Sequence, residues 1–301
     1  MARHSLGLAP SASLVLAAAF WAFGTVIAKH LLASLPPVAF LVLQLAPSVV
    51  VLWILVLANG TPRVAWRQML PIAALGWLNP GLAYTFSMLG LVQTSASVAT
   101  LLWAAEPALI VTMAWLVLRE RVTVRLIGLT ATAAGGVLLV SEILDLEASA
   151  ETGGAVLILG GVLCCALYTV LSRRIVTVVD PLFIVALQQT VGLIWVTGLW
   201  LMEGSSVVEL RALPLRDLLA GAVSGLMYYV VAFSFYLRGL RSVPAGTAGM
   251  FLNLIPVFGV STAYLFLGER LVAAQWIGAA VILISVCALL GAPSRRPEAA
   301  S

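Results

Sequence analysis

The chain has 301 residues, of which 62% are apolar and 9% are charged, and its mean hydropathy is +1.11. Soluble globular proteins carry about 25% charged residues, so this composition excludes a soluble protein, and apolar spans of about 20 residues each leave no room for a large soluble domain. The formal charge of +4 comes from basic residues scattered singly or in pairs, which is typical of loops beside a membrane and not of a nucleic-acid-binding surface.

Apolar runs broken by charged residues, proline and glycine predict ten membrane-spanning helices. The predicted spans of the first half are 12–34, 38–58, 68–91, 95–118 and 124–143. Those of the second half are 154–172, 181–202, 217–238, 244–267 and 271–292. The predicted fold class is therefore an all-α integral membrane protein with ten transmembrane helices.

Basic residues are divided unequally between alternate connections. The side that holds both termini carries twelve lysines and arginines, and the other side carries four. Because positively charged loops remain in the cytoplasm, both termini are expected to be cytoplasmic and the acidic segment 142–151 external. Fifteen arginines against one lysine favour a GC-rich bacterial genome, so the expected location is a bacterial inner membrane.

The two halves of the chain resemble each other. At an offset of 149 residues, nine identities fall in 26 ungapped columns, among them Pro107 with Pro256 and Glu120 with Glu269. Each half contains five predicted helices, an odd number, so the second half must enter the membrane from the opposite side. Such inverted repeats are typical of secondary transporters that work by alternating access. The predicted repeats are residues 1–144 and 145–301, the second with a short cytoplasmic tail.

Several short motifs follow one another along the chain. They are the segment 20–29 (FWAFGTVIAK), the stretch 90–96 (GLVQTSA) and the endings 118–121 and 267–270. Together they resemble the EamA-type branch of the drug/metabolite transporter superfamily over nearly the whole chain. The resemblance implies ten helices, a central cavity lined by the first, third and fourth helices and their second-half counterparts, and export of small metabolites. Bacterial amino-acid exporters are most similar in length and layout, although many members carry arginine where this chain has Gln44.

Glu106 is the only acidic residue at the centre of a predicted span. A carboxylate at that depth costs about 2.5–3.5 kcal/mol on insertion scales, so it is expected to face the bundle interior or water. Three roles stay open for it: carrying a proton, holding a substrate amine, or forming a structural hydrogen bond beside the bend at Pro107.

Lys29 is the only lysine of the chain, and it shares one stripe of the first helix with Trp21 and Thr25 at helical spacing. All three are candidate substrate-binding residues. Lys29 can bind a substrate carboxylate or pair with Glu106 if it faces the cavity. The alternative is that it extends to the outer membrane interface.

Aromatic and amide side chains at similar depth are candidates for an amphipathic wall around a substrate. Trp77 and Tyr84 share a helix face, and Trp103 lies one turn before Glu106 on the same face. The second-half candidates are Tyr168, Tyr228, Tyr229 and Asn253. Ordinary helix packing is the alternative for each of them.

Prolines predict bends at matched places in the two repeats. Pro107 and Pro256 are equivalent, and Pro80 lies in the third span. All three are candidate hinges, with fixed bends as the alternative. Gln44 and Gln188, which align at an offset of 144, are predicted to hydrogen-bond to neighbouring helices.

Enzymes and channels are the rival classes. The chain has two histidines and no metalloprotease, nucleophile-elbow or P-loop motif, which argues against an enzyme, and no filter-like segment indicates a channel. The predicted function is a secondary transporter that exports small metabolites, above all amino acids including aromatic and other hydrophobic ones, by facilitated diffusion or proton coupling.

Two alternative functions stay open, a polytopic enzyme acting on lipid-linked substrates and a multidrug exporter of the same fold. The sequence predicts no cofactor, no metal and no nucleic-acid partner. The expected partners are the small-molecule substrate and membrane lipid, and the expected state is monomeric.

Overall fold

The structure is a computed structural model that describes residues 9–32, 35–62, 64–91, 93, 102–103, 105–140, 152–203, 213–267 and 273–290. Every regular element in these ranges is a helix. The helices of the first half are α1 (Pro10–Leu32), α2 (Pro37–Asn59), α3 (Trp66–Gly76, Trp77–Leu82 and Ala83–Leu91), α4 (Glu106–Leu118) and α5 (Val124–Val140). Those of the second half are α6 (Thr152–Ile175), α7 (Pro181–Met202), α8 (Leu215–Gly225, Leu226–Ala232 and Phe233–Leu240), α9 (Ala245–Met250, Phe251–Asn253 and Leu254–Leu267) and α10 (Ala273–Leu290).

The helices fall on the ten predicted spans, which confirms the all-α fold class. Among the described helices, α2, α6, α7 and α8 are each long and apolar enough to cross a membrane, and shorter apolar helices occur in α1, α4, α5, α9 and α10. The start of the fourth predicted span, the acidic segment 142–151 and most of the connection before α8 lie outside the described residues.

Helices α2 and α7 begin in the same way. Pro37 and Pro181 occupy their first turns, where the missing amide hydrogen of proline leaves nothing unpaired. In α7, the Oδ1 atom of Asp180 also accepts hydrogen bonds from the main-chain N–H groups of Leu182 (2.9 Å) and Phe183 (3.4 Å). These caps fix where the two apolar helices enter the bundle.

Helix pairs recur between the two halves. Helix α1 packs against α8 and α9, just as α6 packs against α3 and α4. Likewise, α2 packs against α8 as α7 packs against α3. Three further pairs, α2–α7, α4–α9 and α5–α10, each join a helix to its own counterpart in the other half. This is the packing of two five-helix repeats related by a pseudo-two-fold axis, in the inverted arrangement that the odd helix number requires.

Two equivalent glycines bring the repeats into close contact. A Cβ atom on Gly76 of α3 would collide with the main chain of Gln188 in α7. In the symmetric place, a Cβ atom on Gly225 of α8 would collide with the main chain of Gln44 in α2. Glycine at these two points lets the helix backbones touch, as small residues do in membrane bundles.

The glutamines at these contacts also hydrogen-bond through their side chains. The Nε2 atom of Gln44 donates to Oγ of Ser224 at 2.6 Å. The Oε1 atom of Gln188 accepts a hydrogen bond of 2.9 Å from the hydroxyl of Tyr168. The predicted bonding of both glutamines to neighbouring helices is confirmed.

Helices α3, α8 and α9 change pitch near their middle. Trp77–Leu82 in α3 and Leu226–Ala232 in α8 form wider, π-type turns that start 149 residues apart. Within the first of them, Asn79 leaves helical geometry, with φ −146° and ψ 119°. Helix α9 tightens to a 3₁₀ turn at Phe251–Asn253. Departures of this kind redirect side chains and are frequent at functional sites.

Candidate functional site

A cavity of about 400 Å³ lies among the bent segments of α3, α8 and α9, and both repeats contribute to its walls. This volume is in the range of small-molecule pockets. The first half supplies Trp21, Asn79, Tyr84, Trp103, Glu106, Pro107 and Val137. The second half supplies Cys165, Tyr168, Thr169, Tyr228, Phe233, Tyr236, Leu252, Asn253, Ile255 and Pro256.

Aromatic rings form most of one wall and hold one another in place. The ring of Trp21 meets Phe233 edge-on, with ring centroids 5.1 Å apart, and lies 5.2 Å from the ring of Tyr236. The rings of Tyr84 and Tyr228 also pack edge to face, at 5.8 Å. Because such contacts restrict each ring to one orientation, this wall offers a preformed aromatic surface.

The tyrosine hydroxyls on the cavity are bonded to other protein groups. The hydroxyl of Tyr84 on α3 donates to the hydroxyl of Tyr228 on α8 at 3.0 Å, which joins the two repeats across the cavity. The hydroxyl of Tyr236 donates to Oγ1 of Thr169 at 3.4 Å. These bonds orient the phenols and satisfy the donor hydrogens of Tyr84 and Tyr236.

Glu106 brings the cavity its ionisable carboxyl group. It stands at the start of α4 and lines the cavity beside Pro107. Within the described ranges, the carboxyl of Glu106 makes no hydrogen bond and no ion pair. A carboxyl group among aromatic side chains is stable when a proton or a bound cation neutralises it. Glu106 can therefore bind either a proton or a cation.

Two asparagines contribute amide oxygens to the same space. The Nδ2 atom of Asn79 donates to Sγ of Cys165 at 3.1 Å, and its buried Oδ1 has no hydrogen-bond partner among the described residues. The Nδ2 atom of Asn253 donates to the carbonyl oxygen of Met250 at 3.0 Å. Each side chain donates one amide hydrogen within the protein, and the Oδ1 atom of Asn79 is left without a donor among the described residues.

Seven of the predicted substrate-binding residues line this cavity. They are Trp21, Tyr84, Trp103, Glu106, Tyr168, Tyr228 and Asn253. The predicted hinges Pro107 and Pro256 line it as well. Pro80 lies against α7, where its ring occupies the space that a Cβ atom on Gly192 would take. Substrate binding and hinge motion at these residues stay predictions.

Two of the predicted substrate-binding residues, Trp77 and Tyr229, do not line the cavity. Trp77 is 56% exposed and packs against Trp195 on the outside of the bundle, at 6.0 Å between ring centroids. Tyr229 is buried behind the aromatic wall, stacked on Phe233. Thr25 and Lys29 belong to α1, and their side chains lie outside the described part of the structure.

Sequence reasoning missed several side chains on the cavity. They are Asn79, Val137, Cys165, Thr169, Phe233, Tyr236, Leu252 and Ile255. Two of them carried a usable signal, because Asn79 immediately precedes Pro80 and Tyr236 lies two helical turns after Tyr228. The apolar members look like any other lipid-facing or packed residue in a sequence of this composition.

Helices α4 and α9 pack closely beside the cavity. A Cβ atom on Gly246 would lie 3.3 Å from Cγ2 of Val111, and one on Gly249 would lie 2.9 Å from Cγ2 of Ile110. The two helices are therefore in contact over the first turns of α9, before Leu252, which lines the cavity.

Hydrogen bonds add to this packing where α4, α6 and α8 end and α9 begins. We call this region the closed end. Main-chain N–H groups at the start of α9 donate to the carboxylate of Glu120. The Nη2 atom of Arg174 donates to the carbonyl oxygen of Val117 at 2.7 Å, and Nη1 of Arg173 donates to that of Arg241 at 3.1 Å. Charged side chains thus tie both repeats together.

Apolar helices in two corresponding halves around a shared cavity are typical of a multi-pass membrane protein of the transporter type. The sequence profile of the EamA-like transporter family matches residues 10–142 and, a second time, residues 152–291. The chain belongs to this family and is a membrane transporter.

Similar proteins come from archaea, bacteria and plants. An uncharacterized transporter of Archaeoglobus fulgidus is 23% identical over 276 residues, which cover 91% of this chain and 95% of that protein. The uncharacterized transporter YvbV of Bacillus subtilis is 26% identical over 287 residues, or 93% of this chain and 91% of its own. A WAT1-related protein of Arabidopsis thaliana is 25% identical over 79% of this chain and 71% of its own.

A solved crystal structure has the same fold, with a TM-score of 0.78 and 18% sequence identity over 93% of this chain and 99% of the other. The family and the relatives from Archaeoglobus fulgidus and Bacillus subtilis are described as transporters.

Proposed function

We propose that the chain is a secondary transporter that exports small metabolites, with amino acids and their aromatic or hydrophobic members preferred, by alternating access. The observation that carries the proposal is one cavity built by both repeats, with helices packed closely at one end of it. An inverted repeat can exchange the conformations of its two halves, so a cavity closed at one end can close at the other instead. The site then faces each side of the membrane in turn.

The proposed orientation places the closed end in the cytoplasm of a bacterial inner membrane. Its support is the charge distribution, because the described basic residues Arg119, Arg121, Arg173, Arg174 and Arg241 lie at or next to this end. In this orientation the structure corresponds to the state that is shut towards the cytoplasm. A reporter fused to the C-terminus tests this topology, and an external C-terminus contradicts it.

Energy coupling is proposed to depend on Glu106, as a proton carrier or as a substrate anchor. If a proton on Glu106 drives accumulation, Glu106→Gln abolishes accumulation against a gradient and leaves downhill flux intact. If Glu106 instead holds the substrate, the same variant lowers downhill flux too. Flux with and without an imposed pH gradient separates the two roles.

Lys29 is proposed to bind the carboxylate of an amino-acid substrate. It lies two turns after Trp21 on α1, and Trp21 lines the cavity. Lys29→Met is then expected to lower the transport of amino acids. Full activity with unchanged selectivity in this variant contradicts the proposed role and indicates an interfacial lysine.

Reconstitution tests the proposal as a whole. The purified chain in proteoliposomes is loaded with labelled phenylalanine, and efflux is followed with protein-free liposomes as the control. Saturable efflux of chemically unchanged phenylalanine supports a carrier. Chemical conversion of an added lipid-linked compound identifies an enzyme instead, and equal flux of structurally unrelated drugs favours a multidrug exporter.

A further inference from the structure

We infer that the cavity recognises its substrate as a cation, a protonated amine attached to an apolar and preferably aromatic body. The inference rests on the proposed function and deepens it, because it names the substrate group that the site reads. Three independent features of the lining carry it: a carboxyl group, amide oxygens and aromatic faces.

The carboxyl group of Glu106 supplies the charge. Within the described residues no cation is bonded to it, although it lines the cavity. An ion in such surroundings requires a partner, since burying it alone is strongly unfavourable. A ligand ammonium group satisfies this requirement with charge-assisted hydrogen bonds, which are stronger than neutral ones.

The amide oxygens of Asn79 and Asn253 also favour a ligand that donates hydrogen bonds. Each asparagine donates one Nδ2 hydrogen within the protein, Asn79 to Cys165 and Asn253 to Met250. The Oδ1 atom of Asn79 is buried without a hydrogen-bond partner among the described residues, and a buried acceptor of this kind costs about 1–3 kcal/mol until a donor reaches it. An ammonium group carries several donor hydrogens and no acceptor.

The aromatic wall is the third feature that attracts a cation. The faces of aromatic rings are negative and attract cations that lie within about 6 Å of the ring centre. Trp21, Tyr84, Tyr228 and Tyr236 line the cavity and are held by contacts with one another or with Phe233. Carboxyl, amide oxygen and ring face thus all favour a positive ligand, and the rings also suit a flat apolar body.

The inference separates the amine from the carboxylate of an amino acid. The recognised group is the ammonium, so phenylalanine without its carboxylate keeps the contact with Glu106 and loses only the proposed contact with Lys29. Removing the amine instead eliminates the ligand group that binds Glu106. Amines are therefore expected to bind, and the corresponding acids without an amine are expected to bind weakly.

A series of four ligands with one common body tests this directly. They are 2-phenylethylamine, phenylalanine, 3-phenylpropionate and 2-phenylethanol, which at neutral pH are cationic, zwitterionic, anionic and uncharged. Isothermal titration calorimetry on the purified full chain in detergent measures their affinities. We expect the amine to bind at least about tenfold more tightly than the acid and the alcohol, which corresponds to one charge-assisted hydrogen bond.

Variants of two carboxyl groups provide the matched control. Glu106→Gln keeps the shape of the side chain and is expected to weaken amine binding at least about tenfold. Glu106→Asp keeps the charge and is expected to retain part of the affinity. Glu203, an exposed carboxylate after α7, lies away from the cavity, so Glu203→Gln is expected to bind the amine like the unmodified chain.

Two outcomes overturn the inference: the acid or the alcohol binds as tightly as the amine, or Glu106→Gln leaves amine affinity unchanged. The proposed function is tested separately by phenylalanine efflux from proteoliposomes. Saturable efflux together with weak amine binding refutes the cation-selective site and does not contradict the proposed export. Absence of flux for every ligand of the series with folded protein refutes the proposed export of amino acids.

Discussion

The carboxylate of Glu120, just beyond the end of α4, accepts a hydrogen bond of 3.0 Å from the main-chain N–H of Ala245, the first residue of α9. Its second oxygen accepts one of 3.4 Å from Gly246. A carboxylate at this place satisfies helix N–H groups that have no partner within α9 and also interacts with the positive end of the helix dipole. Because α4 and α9 belong to different repeats, this contact holds the closed end together.

Glu120→Gln is expected to loosen the closed end. Glutamine keeps one neutral acceptor and loses the charge, so the contact weakens by about 1 kcal/mol, or about fivefold in the equilibrium between closed and open ends. Spin labels at the exposed positions Arg121 and Ser242 measure this opening. The native cysteines are first replaced by serine. Double electron–electron resonance between the two labels should then detect a larger population of long distances in Glu120→Gln than in the parent chain.

The control for this measurement is Glu203→Gln. Glu203 is an exposed residue after α7, and its carboxylate takes no part in the hydrogen bonds described for the closed end. Its distance distribution is expected to match that of the parent chain. Identical distributions for Glu120→Gln and Glu203→Gln show that the Glu120 contact does not determine closure.

Alanine at either of the symmetric glycines should destabilise the protein to a similar degree. Gly76→Ala and Gly225→Ala each push a methyl group into the main chain of a glutamine on the facing helix, and such overpacking costs about 1–3 kcal/mol. Gly198 of α7 has open space around it, so Gly198→Ala is expected to be neutral or to stabilise the helix by up to about 1 kcal/mol. Thermal unfolding followed by tryptophan fluorescence compares the three variants. Unchanged stability in either symmetric variant argues against the tight contact.

The hydroxyls of Tyr84 and Tyr228 should be energetically coupled. Tyr84→Phe and Tyr228→Phe each break the bond of 3.0 Å between α3 and α8, so each is expected to lower stability by about 0.5–1.5 kcal/mol. The double variant is expected to lose about as much as one single variant, because the bond can be lost only once. Strictly additive losses in thermal or denaturant unfolding would falsify this pairing.

The sequence predicts the fold well because a membrane reduces the problem to length, hydropathy and charge. Runs of about 20 apolar residues have few alternatives to a spanning helix, and aligned prolines, glutamines and the Glu120 ending marked the repeat. Glu106 was identified for the same reason, since a carboxyl group at mid-span must face the interior or water.

Side-chain direction across a bend could not be predicted in this way. Trp77 and Tyr84 lie seven residues apart and share a face on a regular α-helix, yet the structure directs them to opposite surroundings. The π-type turn and the extended backbone of Asn79 lie between them and change the angular phase of α3. The same break brings Asn79 onto the cavity. Pro80 indicates a bend at this place, but a local pattern does not give the direction of the bend.

Efflux of labelled phenylalanine and 2-phenylethylamine from proteoliposomes tests the central claim, that the cavity between the repeats carries the substrate and that Glu106 holds its amine. The account predicts saturable efflux in the parent chain and in Glu203→Gln, with at least about a tenfold lower rate of amine efflux in Glu106→Gln at equal reconstitution. Efflux that does not saturate, or amine efflux that is the same in Glu106→Gln as in the parent chain, would contradict it.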